Sequence, residues 1–511
     1  MVIQSKKVWL ADQFVPAAIE VNDGRITAIL PYGTKDVDDD YGDKRIVPGF
    51  MDIHCHGAYE FDTNDANEDG LRYWAEHIVS EGVTSFLATT ITQSVEVLTN
   101  AVTNVANVME SGYDGAEILG IHFEGPYLDM KYKGAQPDQY IVKPTIEQFE
   151  HYQKAARGHI RYVTLATEHD EDFALTRYLT AHGVVVSIGH SGATYEQAVM
   201  AYANGARSMT HVYNGMSPFN HRANGLVGAA YRIRTMYGEI ICDGCHSTPA
   251  ALNNYFMSKG PDYAIMISDA LMAKGTPIGR EYIFGGNHIT IYPDGSAHLD
   301  NGTLAGSTLN INKGLRILVE EAMVPFNYAL NACTINPARC LQGFHSGGQG
   351  RRPCGAGRQL RCAADLLHGQ SPAVNARPTR TKDVETAMIQ IAFCDDDQTV
   401  LDQLSALLEK YRTQRCIQIQ CTAFRSPLDL LAEIEKGVRY DILFLDVIMP
   451  AENGITVAKE IRQYDTAVEI IFLTSSTEFA VESYMVGAYF YQLKPIWEES
   501  FFRLTDSVIA E

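Results

Sequence analysis

Residues 47–57 read VPGFMDIHCHG, an apolar run that ends on two histidines separated by one cysteine. In a β-strand, residues i and i+2 point to the same side, so His54 and His56 converge while Cys55 faces away. Two imidazoles side by side at the mouth of a buried strand make poor core and good metal ligands. Taken alone, the stretch is equally compatible with a partly exposed loop pair. Its surroundings decide.

Working outward, seven further apolar, β-branched runs follow: VTSFLATT, EILGIHFE, IRYVTLAT, VVVSIGH, RSMTHVY, EIICDG and AIMISDA. Amphipathic stretches such as 67–80, 95–109 and 195–204 alternate with them, the texture of repeated βα units. Eight parallel strands with intervening helices predict a TIM-type (β/α)8 barrel, whose site gathers at the C-terminal strand ends. The unusual polar residues sit there. Strand one ends on His54 and His56, strand three on Glu124, strand five on His190; His211 lies on strand six, His246 follows strand seven, and Asp269 ends strand eight. One such residue is easily accidental; seven at equivalent positions are hard to explain as packing.

The bulk properties narrow the function classes. At 511 residues the chain is too long for one ordinary core. A net charge of −21 makes nucleic acid a poor partner, and no apolar run approaches the ~20 residues of a membrane helix. The N-terminus shows neither a signal-peptide core nor a cleavage site, and ten irregularly spaced cysteines look like reduced thiols. A cytoplasmic protein is expected. The CxxC of Cys242 and Cys245 has no second pair and reads as structural.

His54, His56, Glu124, His190, His211 and Asp269 offer imidazole nitrogen and carboxylate oxygen, the donors preferred by zinc and similar divalent ions. They suffice for one or two ions with a bridging carboxylate. Such an ion makes hydroxide available near neutral pH, and Asp269 is placed to take a proton from the attacking water and pass it to a leaving amine. Metal-assisted hydrolysis of an amide, ester or cyclic amide follows. The motifs PGFMDIHCHG, GIHFEGPYLD, SIGHSGATYEQA, THVYNGMSP, DGCHSTP, ISDA and GTLAGSTLN, taken in order, resemble N-acetylglucosamine-6-phosphate deacetylases of the amidohydrolase superfamily over roughly residues 1–340. That resemblance implies Glu124, His190 and His211 as principal ligands (zinc, or iron, cobalt or manganese) and His54 and His56 as the pair that loads a second ion. It implies Asp269 as general base and acid, and His246 as a substrate contact that polarises the acetyl carbonyl. Asn214, Gly215 and Arg222 match positions that hold the sugar phosphate. In the family that arginine often reaches in from a neighbouring subunit, implying a homodimer. Where the family commonly continues Glu-Pro-Gly, this chain has Ala223 and Asn224.

From Met388 a second α/β pattern begins, with strand-like IQIAFC, IQIQC, DILFLD, VEIIFLT and AYFYQL alternating with helical stretches such as 400–412 and 455–464. It predicts a five-stranded, flavodoxin-like doubly wound unit. Asp395, Asp396 and Asp446 fall at strand ends and would repel one another without a cation such as Mg²⁺. With Thr474, Tyr491 and Lys494 in order, the unit resembles receiver domains of response regulators, most closely those paired with LytTR-type outputs. That implies Asp446 as phosphoacceptor, Asp395 and Asp396 as Mg²⁺ ligands, Thr474, Tyr491 and Lys494 as the switch, and a histidine kinase as partner.

The expected organisation is therefore N-terminal strands of an incomplete small β-sandwich at 1–47, the barrel at 48–340, an irregular linker at 341–387 and the receiver at 388–511. The linker is rich in Gly, Arg, Ala and Pro and basic inside an acidic protein. Where the family resembled would complete its sandwich, this chain reads RRPCGAGRQLRCAADLLHG, as an out-of-frame reading of that tail would. Residues 1–47 are then expected to lack strand partners. Two other functions stay open: a phosphorylation-controlled signalling protein with the barrel as output, and an amidohydrolase acting on another amide. The coding DNA tests the junction: a one- or two-base shift near codon 342 should restore the missing strands, and its failure to do so refutes the idea.

Overall fold

The computed structural model describes residues 1–22, 24–34, 36–277, 279–342, 388–415, 417–450, 452–475, 479 and 486–509. The expected linker, from 343 onward, lies outside them. The described chain divides into two compact units.

The first unit opens with an antiparallel sheet of β1 (Val2–Leu10), β2 (Gln13–Asn22) and β3 (Arg25–Pro31). Leu10 pairs with Gln13 across a two-residue turn, Ala11–Asp12, whose φ values of 47° and 60° are those a type I′ hairpin requires. Two short parallel strands, Asp39–Asp40 and Arg45–Ile46, add to the free side of β1. The expectation that residues 1–47 lack strand partners is corrected: local hairpins supply them. Val8, Ala17 and Ile19 form the sheet's buried cluster, while Ile3, Leu10, Val15, Val21, Ile26, Ile29 and Ile46 are half-buried against it.

The barrel strands are β4 (Phe50–Cys55), β5 (Val83–Thr89), β6 (Glu117–Glu124), β7 (Ile160–Leu165), β8 (Val185–Ile188), β9 (Ser208–Met209), β10 (Gly238–Ile241) and β11 (Ala264–Ile267). β4 to β9 pair in parallel in chain order, and β10 pairs with β11. Backbone hydrogen bonds close the ring. Met209 N donates to Tyr237 O at 3.1 Å and Val212 N to Glu239 O at 2.8 Å; Asp269 N donates to His54 O at 2.9 Å and His56 N to Ala270 O at 2.8 Å. Met51, Ile53, Leu87, Tyr162, Val185, Ile241, Ile265 and Ile267, drawn from six strands, pack as the barrel core. Each such side chain contributes about 1.5–3 kcal/mol on burial. A polar belt also lies buried: His122 bonds Thr164 Oγ1 at 2.8 Å, and Thr164 and Ser187 meet Thr210 at 2.8 and 2.7 Å.

The helices follow capping rules. Asn67, Ser94 and Thr248 accept backbone N–H bonds at the starts of Glu68–His77, Val95–Ser111 and Pro249–Lys259. After β11 comes a three-stranded antiparallel sheet, β12 (Glu281–Phe284), β13 (Asn287–Ile291) and β14 (Ala297–Leu299), that the eight-run pattern does not predict. The Gly285–Gly286 turn joins its first two strands, and the sheet packs on Ile91, Leu271 and Met272. It brings the Phe284 ring to 5.3 Å from that of His56.

The second unit is a five-stranded parallel sheet in the order β16–β15–β17–β18–β19, where β15 is Ile389–Cys394, β16 Ile419–Phe424, β17 Ile442–Asp446, β18 Glu469–Thr474 and β19 Phe490–Leu493. Its core joins Ile391, Phe393, Phe444 and Ile471 to Leu404, Leu408, Phe501 and Leu504 of flanking helices.

Candidate functional site

The strand ends in the first unit are shaped to present side chains. His190, His211 and Asp269 have φ values of 47°, 28° and 50°, a left-handed conformation that costs a non-glycine residue free energy and clusters at functional sites. β9 is only two residues long because the chain turns out of the ladder at Thr210–His211.

These side chains converge on one carboxylate. Glu124 Oε1 lies 3.3 Å from His190 Nε2, 3.3 Å from His211 Nε2 and 3.5 Å from His54 Nε2; Oε2 lies 3.3 Å from His56 Nε2. Asp269 Oδ1 is 3.4 Å from His54 Nε2 and 3.2 Å from His56 Nε2. Two triads result, Glu124/His190/His211 and His54/His56/Asp269, each with donor atoms within 4.8 Å of one another. Three of the four rings donate Nδ1–H away from the centre: His190 to Tyr132 O at 2.9 Å, His211 to Asn214 O at 3.0 Å and His54 to Glu239 Oε2 at 2.9 Å. In the neutral form each of those rings then aims a lone pair inward, the orientation of a metal ligand. His190 Nε2 and His211 Nε2 stand 3.0 Å apart, so two acceptors face each other. Glu124 Oε1 and His54 Nε2 are buried and make no hydrogen bond. The donor set fits one or two divalent cations.

The cluster attracts positive charge. Burial opposes charging His56, yet the carboxylates of Asp269 and Glu124 outweigh it and lift its pKa to about 9. Burial pushes Asp269 up, but His54, His56 and His211 more than offset this and bring it to about 2. Glu124 is likewise held well below its usual range by His54 and His190 against the effect of burial.

The other expected residues flank this centre. Burial lowers the His246 pKa, but Asp243 raises it on balance, taking His246 Nδ1–H at 2.7 Å; His246 also feels the charge of Asp269. Asn214 Nδ2 is buried with no hydrogen-bond partner, a donor held ready for a ligand. Gly215 has φ 55°, and a Cβ there would come within 3.0 Å of His190 Nδ1. Arg222 is exposed, on the bridge between Asn220 and Ala223. Sequence reasoning missed Glu239 beneath His54, Gln136, which donates to Glu124 Oε2 at 2.8 Å, and Phe284 beside His56. Glu239, in the run EIICDG, had a visible signal: a carboxylate inside a strand otherwise reading as core.

In the second unit Asp395, Asp396 and Asp446 have carboxylate oxygens within 4.8 Å of one another. Lys494 Nζ bonds Asp395 Oδ2 at 2.6 Å and pairs with Asp446 Oδ2 at 3.1 Å. Burial raises the Asp446 pKa, with Lys494 working against it. Thr474 and Tyr491 are fully buried on the neighbouring strands β18 and β19, Thr474 at the end of its strand and Tyr491 paired with Phe472.

Residues 45–349 match the amidohydrolase family and residues 391–505 the response regulator receiver domain. The chain is 41% identical over 324 residues to an N-acetylglucosamine-6-phosphate deacetylase of Lysinibacillus sphaericus, which covers 63% of this chain and 83% of that protein. The chain belongs to the amidohydrolase family. This amidohydrolase is also 33% identical over 333 residues to an N-acetylgalactosamine-6-phosphate deacetylase of Escherichia coli O157:H7, covering 65% and 86% of the two chains. Among solved structures, N-acetyl-D-glucosamine-6-phosphate deacetylase from Mycobacterium smegmatis is similar with a TM-score of 0.64 at 29% identity, covering 67% of this chain and 91% of that one. A receiver domain follows the amidohydrolase unit in the same chain.

An ion must displace the proton that His56 keeps up to about pH 9. His54, held well above the usual histidine range by Glu124 and Asp269 against the effect of burial, carries another. Cation affinity of the metal-stripped protein should therefore rise with pH from about 7 through 9, by up to about tenfold per unit for each proton released. Zinc titrations against a competing chelator check this; a flat profile contradicts it.

Proposed function

We propose that the amidohydrolase unit removes the N-acetyl group of N-acetylglucosamine 6-phosphate, giving glucosamine 6-phosphate and acetate. The observation that carries this is the convergence of four imidazole Nε2 atoms and Asp269 around Glu124. The names of its relatives support the substrate class. Glu124, His190 and His211 would hold one divalent cation, and His54 and His56, with Asp269 at their edge, a second. When bound, such a cation supplies Lewis acidity and acidifies water.

Asp269 is the residue suited to proton transfer. Its side chain is 11% exposed, against 2% for Glu124 and 0% for His54, so it is the most open to water. It takes one proton from the attacking water as the C–O bond forms, and delivers it to the amine as the C–N bond breaks. His246 gives Nδ1–H to Asp243, which raises its pKa against the effect of burial; the protonated ring also carries a hydrogen on Nε2, which it donates to the acetyl oxygen as negative charge develops there. Asn214 Nδ2 donates to the sugar phosphate, the Gly215 backbone shapes the loop beneath it, and Arg222 supplies a guanidinium from the partner copy in a homodimer.

In the receiver, Asp446 accepts the phosphoryl group from a histidine kinase, Asp395 and Asp396 hold Mg²⁺, and Lys494 with Thr474 and Tyr491 registers the modified state. No helix among the described residues is long and apolar enough to cross a membrane; a cytoplasmic setting suits the phosphorylated sugar.

Asp269→Asn should lower kcat on N-acetylglucosamine 6-phosphate by about 10²–10⁴-fold with KM little changed, read by amine release. Activity should vanish on chelation and return with metal; full turnover by the variant contradicts the assignment. Incubation with a small phosphodonor should add one phosphate, by intact mass, that Asp446→Asn abolishes. An unchanged deacetylation rate after that modification is expected. A large change would instead favour the signalling function.

A further inference from the structure

We propose that Glu239 is a positioning residue: it sets the His54 ring for the second cation and ties that triad to the first. The inference rests on the metal-dependent function proposed above.

Glu239 lies on β10, 0% exposed, at the depth of the cluster. Burying a carboxylate there carries a large desolvation cost, so its presence calls for specific positive or donor partners. It has two. Oε2 takes His54 Nδ1–H at 2.9 Å and the backbone N–H of His211 at 3.4 Å. One oxygen thus touches a member of each triad. With Nδ1–H given to Glu239, the free lone pair of His54 is on Nε2, which faces Asp269 and Glu124.

The partners of the other rings show why this contact is special. His190 and His211 donate to the neutral carbonyls of Tyr132 and Asn214, and His56 Nδ1 is buried without a hydrogen bond. Among these four rings His54 is the one whose outer nitrogen donates to a carboxylate; Asp62 feels the charge of His56, but His56 Nδ1 makes no hydrogen bond. An anionic partner makes the opposite nitrogen more electron-rich than a carbonyl does, and it fixes the ring's rotation. His122 packs its ring 4.4 Å from His54, but its own nitrogens are engaged by Thr164 at 2.8 Å and Thr89 at 3.4 Å. It cannot take over the role. The effect of losing Glu239 should therefore fall on the His54/His56 ion and spare the Glu124/His190/His211 ion.

The test uses the full chain, stripped of metal, with Mg²⁺ in excess to occupy the receiver carboxylates of Asp395, Asp396 and Asp446, and titrated with zinc against a chromophoric chelator. Wild type should take up two equivalents of zinc. Glu239→Gln keeps the size and removes the charge. It should weaken the second equivalent by about 10–100-fold while the first stays within about threefold, at an unchanged melting midpoint. Glu239→Asp keeps the charge but shortens the reach, and should weaken the same equivalent; it decides the matter if the glutamine variant does not fold. Unchanged affinity for both equivalents in the folded variants overturns the proposal. A wild type that binds one equivalent overturns it too, but leaves the metal-dependent function standing. A wild type that binds none sinks both.

Discussion

A single buried carboxylate, Glu124, organises the catalytic unit. Its two oxygens stand within 3.5 Å of four imidazole nitrogens drawn from three strand ends. A charge so enclosed is stable only if something positive shares the cavity, and three of the four rings that surround it have turned their hydrogens outward. Much of the surrounding architecture serves that arrangement. The barrel closes at β4–β11 through hydrogen bonds made by the backbones of His54, His56 and Asp269 themselves. These site residues therefore also hold the barrel shut, and the left-handed φ of Asp269 is sustained by that ring of contacts.

The layers around the cluster divide the work. Backbone carbonyls of Tyr132 and Asn214 fix two rings, and the Glu239 carboxylate fixes a third. The threonine and histidine belt satisfies the polar interior between site and core, so that no histidine there competes for the central position. The sheet of β12–β14 brings Phe284 against His56, adding an apolar neighbour that excludes water and strengthens the electrostatics inside. The receiver repeats the theme with different chemistry. Three clustered carboxylates are held in check by one lysine, a balance that a divalent cation and a phosphoryl group can tip.

Much of this was legible in the amino-acid order. Barrel strands bury both faces, so they stand out as apolar runs, and a histidine or glutamate at the end of one is conspicuous; His54, Glu124, His190 and Asp269 were visible for that reason. What stayed hidden is the second layer. Glu239 sits inside its strand, and its purpose depends on a ring that arrives from 185 positions earlier. Gln136 lies in a loop with no periodicity to mark it. Phe284 arrives on an unforeseen hairpin, although Gly285–Gly286 is a turn signal in plain view. The N-terminal strands need no C-terminal tail to find partners, because the Ala11–Asp12 turn lets them pair locally.

The most direct measurement of the central claim is anomalous X-ray scattering at the zinc edge from crystals of the zinc-loaded full chain. A strong peak enclosed by Glu124, His190 and His211 is the predicted result. No anomalous density among these side chains, in protein that is folded and saturated with zinc, would contradict it.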